Sequence, residues 1–180
     1  MPIQIGQKPG HDFTEPIGLL SDCHRRIERF LEVLARVAAD AGGRPLNEEQ
    51  TTALSTALKY FREAAPKHTA DEELSLFPRM RESGDPEVLA ALSDLDRLEA
   101  DHFRAVELHR ELDALGEAWL GGGGLPVESA GRFEALVNEL RGLYRTHIAI
   151  EDSHVFPLAD RALDVQTRRE IGREMAARRS

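Results

Sequence analysis

A twelve-residue pattern occurs twice in this chain, as KHTADEELSLFP (residues 67–78) and as THIAIEDSHVFP (residues 146–157). Each copy has a histidine, a glutamate four residues later, a second acid directly after that glutamate, and Phe-Pro at the same distance. On a helix, positions i and i+4 lie on one face, about 6 Å apart along the axis. The repeat therefore predicts two helices that each present a His–Glu pair on one side.

Each copy is preceded by a helical stretch that carries one further histidine. His68 matches His147 at an offset of 79 residues, and His24 matches His102 at an offset of 78 residues. Each half of the chain thus has a helix with one histidine, followed by a helix with His-x-x-x-Glu. In an antiparallel bundle, two such halves can be related by an approximate two-fold axis on which their polar groups meet.

The chain is rich in helix-forming residues, and it has no runs of β-branched residues with a period of two. Four main helices and one tail helix are predicted, over residues 15–41, 47–81, 87–120 and 128–155 and then in the C-terminal tail. Pro66 predicts a kink or break in the second helix, Pro157 is expected to limit the fourth, and the third is either one helix or a short and a long one.

This pattern predicts an all-α fold, an up-down-up-down four-helix bundle with an additional C-terminal helix. We expect an extended N-terminal segment (residues 1–14), the bundle (residues 15–160) and a helical tail (residues 161–180). The stretch GGGGLP (residues 121–126) is the clearest flexible connection between helices.

The net charge and the cysteine content exclude several classes of partner and location. The net charge of −9 argues against binding to nucleic-acid backbones or anionic membrane surfaces. No apolar run approaches the ~20 residues of a membrane span. Cys23 is the only cysteine, so no intrachain disulfide can form, and the N-terminus lacks a basic-then-apolar signal design. We therefore expect a cytoplasmic protein.

The matched histidines and glutamates predict a metal site. An inward-facing carboxylate without a partner is unfavourable by several kcal/mol, and two would also repel each other, so a cation would stabilise both. Imidazole together with carboxylate suits iron, zinc or manganese. Four histidines and two glutamates are too many for one tetrahedral zinc, and they suit two metals bridged by both carboxylates and a solvent-derived oxygen. The candidate ligands are His24, His68, Glu72, His102, His147 and Glu151.

Several other side chains have two interpretations each. His11 precedes the first helix and is expected to be solvated. His109 is either a support for the ligands or a core or rim residue, and Tyr144 is either a hydrogen-bond donor above the site or part of the core. His154 lies three residues after Glu151, so it is either an additional ligand or a residue without a role in the site.

The set formed by His24, HTADE, His102 within EADH, and HIAIE, with the LFP and VFP endings, resembles the hemerythrin-like (HHE cation-binding) domain family over about residues 15–160. The resemblance implies a four-helix bundle with two non-haem iron ions and an oxo or hydroxo bridge. It places the iron ligands on the six residues named above. A small diatomic ligand or peroxide is the implied partner.

The chain departs from the oxygen-carrying hemerythrins at two places. Val106 stands where those proteins have a second histidine four residues after the third-helix ligand, and Glu151 lies four residues after His147 where they have Asp at five. These departures argue against simple reversible oxygen carriage, and the site is more similar to relatives that repair iron–sulfur centres. The open alternatives are a protein that binds or senses oxygen, nitric oxide or peroxide, a di-iron oxidase, peroxidase or nitric oxide reductase, and an iron-handling protein.

Overall fold

A computed structural model describes residues 10–180 of the chain. Its helices are α1 (Pro16–Ala41), α2 (Glu48–Glu63), α3 (Ala65–Asp71), α4 (Phe77–Glu82), α5 (Pro86–Ala90), α6 (Leu92–Leu120), α7 (Val127–Ile150), α8 (Phe156–Ala162) and α9 (Val165–Ala177). π-Helical turns join α3 to α4 (Glu72–Leu76) and α7 to α8 (Glu151–Val155). Residues 10–180 contain no strand, which confirms the all-α fold class.

Local sequence accounts for the ends of several helices. Gly42 adopts a left-handed conformation (φ 54°) after α1, and its N–H bonds the Ala38 carbonyl at 2.9 Å. Asn47 and Gln50 form a reciprocal capping box at the start of α2. Asp85 and Asp164 cap α5 and α9 with their side chains. These caps fix where the chain turns between its long helices.

Two of the expected interruptions are confirmed. The second predicted helix breaks at Ala64, just before Pro66, and restarts as α3. The third predicted segment consists of the short α5 and the long α6.

The expected end of the fourth helix at Pro157 is wrong. The helical path runs on through the second π-helical turn into α8, and the tail helix begins only at Val165. Proline in an ordinary helix clashes with the carbonyl four residues earlier. The π-helical turn contains one extra residue, and the Phe156 N–H bonds the Glu151 carbonyl five residues earlier, so Pro157 can be accommodated.

The long helices contact one another in a closed ring. α1 packs against α2 and α7, and α6 packs against the same two helices. The up-down-up-down order of their directions stays a prediction, as does the division at residues 15 and 160. α9 packs against α1, α3 and the first π-helical turn, and residues 1–9 of the predicted N-terminal segment lie outside the described residues.

Two hydrophobic clusters form the core of this ring. One contains Leu34, Leu54, Leu108 and Leu140, and the other contains Leu20, Phe77, Leu95 and Val155. On α1 and on α6, a single buried histidine separates the residues of one cluster from those of the other. A buried polar layer therefore lies between two apolar cores. No helix within residues 10–180 is long and apolar enough to cross a bilayer.

Candidate metal centre

All six predicted ligands meet in this polar layer. His24 comes from α1, His68 from α3, His102 from α6 and His147 from α7, while Glu72 and Glu151 are the first residues of the two π-helical turns. Each of the six side chains is buried, and none is more than 6% exposed. Bringing these ligands together takes every long helix of the ring except α2.

The four imidazoles turn their Nε2 atoms toward the two carboxylates. Glu72 lies 3.2 Å from His68 Nε2 and 3.4 Å from His102 Nε2. Glu151 lies 3.1 Å from the Nε2 atoms of both His24 and His147. Each glutamate therefore contacts histidines from both halves of the chain.

The ligand atoms form two overlapping groups, and within each group they all lie within 4.8 Å of one another. One group contains His24, His68, Glu72 and Glu151, and the other contains Glu72, His102, His147 and Glu151. Both glutamates belong to both groups. This arrangement provides two adjacent positions, each with two imidazoles, and two carboxylates that can reach both.

Burial without hydrogen bonds shows that the site fits a cation. Both oxygens of Glu72 and of Glu151, together with His24 Nε2, are buried and make no hydrogen bond with any residue in 10–180. Unpaired buried polar atoms cost free energy, and ionised ones cost more. The imidazole–carboxylate donor set suits iron, zinc or manganese. The His/Glu cluster is thus able to hold metal ions.

The pKa values show that the buried carboxylates and imidazoles shift each other's protonation. Burial opposes ionisation of Glu72, but His68 and His102 hold the pKa of its carboxyl well below the usual range. Burial would also lower the pKa of His24, yet the carboxylates around it hold that pKa well above its usual value. The pKa of His68 falls to about 4 because burial dominates there. Metal binding should therefore displace protons from the cluster.

Three further carboxylates support the imidazoles from outside. Asp152 bonds His24 Nδ1, and Glu73 bonds His102 Nδ1, each at 2.8 Å. Asp101 lies at ion-pair distance, 3.5 Å, from His147 Nδ1, which makes no hydrogen bond within residues 10–180. A carboxylate on the outer nitrogen fixes the tautomer of a ligating histidine and raises its basicity. The sequence pattern included Glu73 and Asp152 as the repeated second acid, but it assigned them no role, and Asp101 was missed because it has no acidic match in the other half.

His154 and His11 lie away from the ligand cluster. His154 is half exposed and pairs with Asp94 at 3.0 Å, so the structure places its side chain outside both groups of candidate ligand atoms. An ordinary α-helix has 3.6 residues per turn and would put His154 near the face of Glu151, whereas the wider π-helical turn directs it outward. The side chain of His11 is exposed at the surface, where its Nδ1 lies 3.1 Å from the Asp22 carboxylate.

His109 and Tyr144 form a hydrogen-bonded pair beside the ligands. His109 Nε2 lies 3.1 Å from the Tyr144 hydroxyl, and the Tyr144 ring is 6.2 Å from the ring of His147. Burial lowers the pKa of His109 to about 4, so its imidazole is neutral at neutral pH. Both residues line a largely apolar cavity of about 300 Å³ that also reaches His102. This cavity gives a small molecule an approach to one side of the cluster.

Comparisons with known proteins agree with this geometry. The family model described as the hemerythrin HHE cation binding domain matches residues 15–159. An uncharacterized protein of Haemophilus influenzae is 26% identical over 167 residues, which cover 93% of this chain and 91% of that protein. The matched family region contains all six residues of the cluster. The chain belongs to the hemerythrin HHE cation-binding domain family.

Proposed function

We propose that this protein holds two non-haem iron ions, bridged by Glu72 and Glu151 and by an oxo or hydroxo group, and that it binds or senses oxygen, nitric oxide or peroxide there. The observation that carries the proposal is the sharing of both glutamates by two groups of ligand atoms. Iron bound at these positions would supply redox and Lewis-acid chemistry toward such ligands.

The protein's own residues would perform the rest of the work. His24 and His68 would hold one ion, and His102 and His147 the other. Asp152 and Glu73 would keep their histidines oriented with Nε2 toward the ions, since each accepts a hydrogen bond from the opposite ring nitrogen. The apolar residues on both sides of the polar layer would exclude bulk water, and the cavity at His102 would admit the small ligand.

The test is elemental analysis with an absorption spectrum of protein purified from iron-replete growth. We expect two irons per chain and the charge-transfer bands of a bridged iron pair. A stoichiometry of one, or zinc retained in preference to iron under iron-replete conditions, contradicts the proposal. Titration with oxygen, nitric oxide and peroxide then identifies the ligand by the spectral change that each produces.

An enzyme is the second candidate, and the size of the cavity favours it. A cavity of 150 Å³ is enough to bind benzene. The cavity of about 300 Å³ beside His102 is therefore larger than a diatomic ligand requires, and it has room for an organic reductant. Catalytic turnover of peroxide with a phenol would support this candidate, whereas a stable stoichiometric adduct would support binding or sensing.

A cavity-filling variant makes that distinction sharper. Ala105 is buried on α6 and lines the cavity, so Ala105→Phe should lower turnover with the phenol. Ala149→Phe, the same change on the exposed side of α7, is the matched control and should not lower it. We also propose a cytoplasmic location, which the single cysteine supports and which cell fractionation would test.

A further inference from the structure

The support for the four ligating histidines is unequal between the two halves. His24 and His102 match each other in the repeat, and each has a carboxylate on Nδ1 at 2.8 Å. His147 has Asp101 at 3.5 Å. Neither His68 Nδ1 nor His147 Nδ1 makes a hydrogen bond within residues 10–180, so the two differ in that His147 has the Asp101 carboxylate within ion-pair distance. The position that matches Asp101 in the first half is occupied by Cys23.

Cys23 cannot take over the role of Asp101. Its thiol is buried, and Arg26 already donates a hydrogen bond to its sulfur at 3.1 Å. A neutral thiol is a weak acceptor, whereas a carboxylate supplies a full negative charge to an imidazole that binds a cation. The repeat therefore puts a charged support in one half and a neutral side chain at the equivalent place in the other.

We propose that the two metal positions are unequal in affinity, with the His102/His147 position filled first, and that Asp101 is the positioning residue responsible. This inference rests on the two-metal centre proposed above. Losing an outer carboxylate typically weakens metal binding about 10- to 100-fold. Because the Asp101 contact is longer than the other two, we expect a preference of about tenfold, at the lower end of that range.

The measurement has to be an equilibrium occupancy rather than a rate of metal release. α9 covers the first half, where Arg178 and Arg179 of the C-terminal end bind the buried Asp71 at 2.9 and 2.6 Å. The cavity instead approaches the His102 side. Easier access would make metal exchange faster at the His102/His147 position, although that position is expected to bind metal more tightly. Two different successive binding constants would not demonstrate unequal positions either. Repulsion between the two cations makes the second constant weaker even when both positions are identical.

The experiment is a titration of the metal-free full-length chain with Zn²⁺, a diamagnetic probe, followed by NMR of the ¹⁵N-labelled histidine rings. At one equivalent of Zn²⁺, the Nε2 resonances of His102 and His147 should report about ten times the occupancy of those of His24 and His68. Asp101→Asn should bring the two occupancies within about twofold, whereas Asp101→Glu should restore the preference.

Asp113→Asn is the matched control, because Asp113 lies on the same helix and pairs with Arg62 on the surface. It should leave the preference unchanged. Equal occupancy in the unmodified chain, filling of the His24/His68 position first, or an unaltered preference in Asp101→Asn would overturn the inference. If the cluster fails to bind zinc and iron alike, the proposed function fails instead, so the two failures are distinguishable. Circular dichroism of Asp101→Asn and Asp101→Glu establishes that each variant is folded.

Discussion

The two halves of the molecule build the same ligand geometry in different surroundings. Both His-x-x-x-Glu pairs end in a π-helical turn that begins at the glutamate and is followed by Phe-Pro. The first pair lies on a helix that is broken at Ala64, and α9 packs over it through the buried Asp71. The second pair lies on the unbroken α7, where Ile150 takes the position of Asp71. The comparison teaches that the repeat is retained at the candidate ligands, whereas the residues that pack around them differ between the halves.

Metal removal should lower the stability of both halves together, and this is the largest effect that we expect. Binding to the native state alone stabilises a protein by RT ln(1 + [L]/Kd), about 4 kcal/mol at a thousandfold excess of free metal over Kd. We therefore expect chelator-treated protein to remain helical but to unfold at lower denaturant concentration. The gap should narrow at mildly acidic pH, where the ligands are protonated and affinity falls. Equal stabilities of loaded and metal-free protein at neutral pH would contradict a buried metal site.

The equivalence of the two glutamates is tested by Glu72→Gln and Glu151→Gln. Each removes a charge that both metal positions share, so either change should weaken both positions by at least about 100-fold, the upper range for supporting contacts. His24→Ala removes one ligand from one position and should have a smaller effect on the other. Metal content per chain is the measurement. Retention of two irons in Glu72→Gln, with loss of both in His24→Ala, would show that the glutamates do not bridge.

His109 takes the place that Leu31 has in the first half, and this difference should appear as a pH dependence of stability. The pKa of His109 in the folded protein, about 4, lies below its ordinary value of 6.5, so the unfolded chain takes up the proton first. The resulting stabilisation is fully present above pH 6.5 and is lost as the pH falls toward 4. The loss amounts to about 3 kcal/mol, at 1.36 kcal/mol per pKa unit.

His109→Leu makes the two halves alike and should remove that dependence. The variant also deprives the Tyr144 hydroxyl of its partner, so its stability at pH 7 is not the informative quantity. The unmodified protein should instead lose about 3 kcal/mol of its free energy of unfolding relative to the variant as the pH falls from 6.5 to 4. A difference that stays constant over this range would contradict a lowered pKa of His109 in the folded protein.

Asp71 is found only in the first half, which α9 covers, because Ile150 stands at the matching position of the second half. Its carboxylate is fully buried and binds Arg178 and Arg179, so Asp71→Asn should weaken both charged hydrogen bonds. We expect a loss of about 2 kcal/mol in the free energy of unfolding, the range for hydrogen bonds to charged groups. Glu174→Gln is the control and should cost less, because Glu174 of α9 pairs with Arg79 at a more exposed position. An equal cost for both variants would argue against a specific role of the buried carboxylate.

His154 should give the smallest effect. Its match in the first half is Ser75, and its side chain is half exposed. His154→Ser should change the free energy of unfolding by less than about 0.5 kcal/mol, as is usual for surface positions. The variant should keep its full metal content in elemental analysis. Loss of one ion would show that His154 contributes to the centre after all.

The structure brings the six candidate residues together, whereas the path of the helices departs from the sequence prediction. The six candidates were found because a helix forces i and i+4 onto one face, and because the duplication made chance spacing an unsatisfactory explanation. The helix beyond Pro157 and the outward direction of His154 were missed for one shared reason. Periodicity arguments assume a uniform helix, and the extra residue of a π-helical turn changes the direction of every later side chain.

The outer carboxylates could be only partly predicted. Glu73 and Asp152 were visible as a repeated acid, but their partners are histidines on other helices, 29 and 128 residues away in sequence. No short-range pattern contains such a pairing. The contact between Asp101 and His147 was less accessible still, since the repeat itself has a cysteine at the equivalent position.

The separation of the apolar interior into two cores has a consequence for the cooperativity of unfolding. α1 and α6 each contribute buried residues to both cores, on either side of the polar layer, and bound cations would tie the two cores together across that layer. Without the cations, either core can open while the other remains folded, because little apolar contact links them through the layer. Native-state hydrogen exchange of metal-free protein should then resolve two groups of amides with different opening free energies, and metal binding should merge them into a single group.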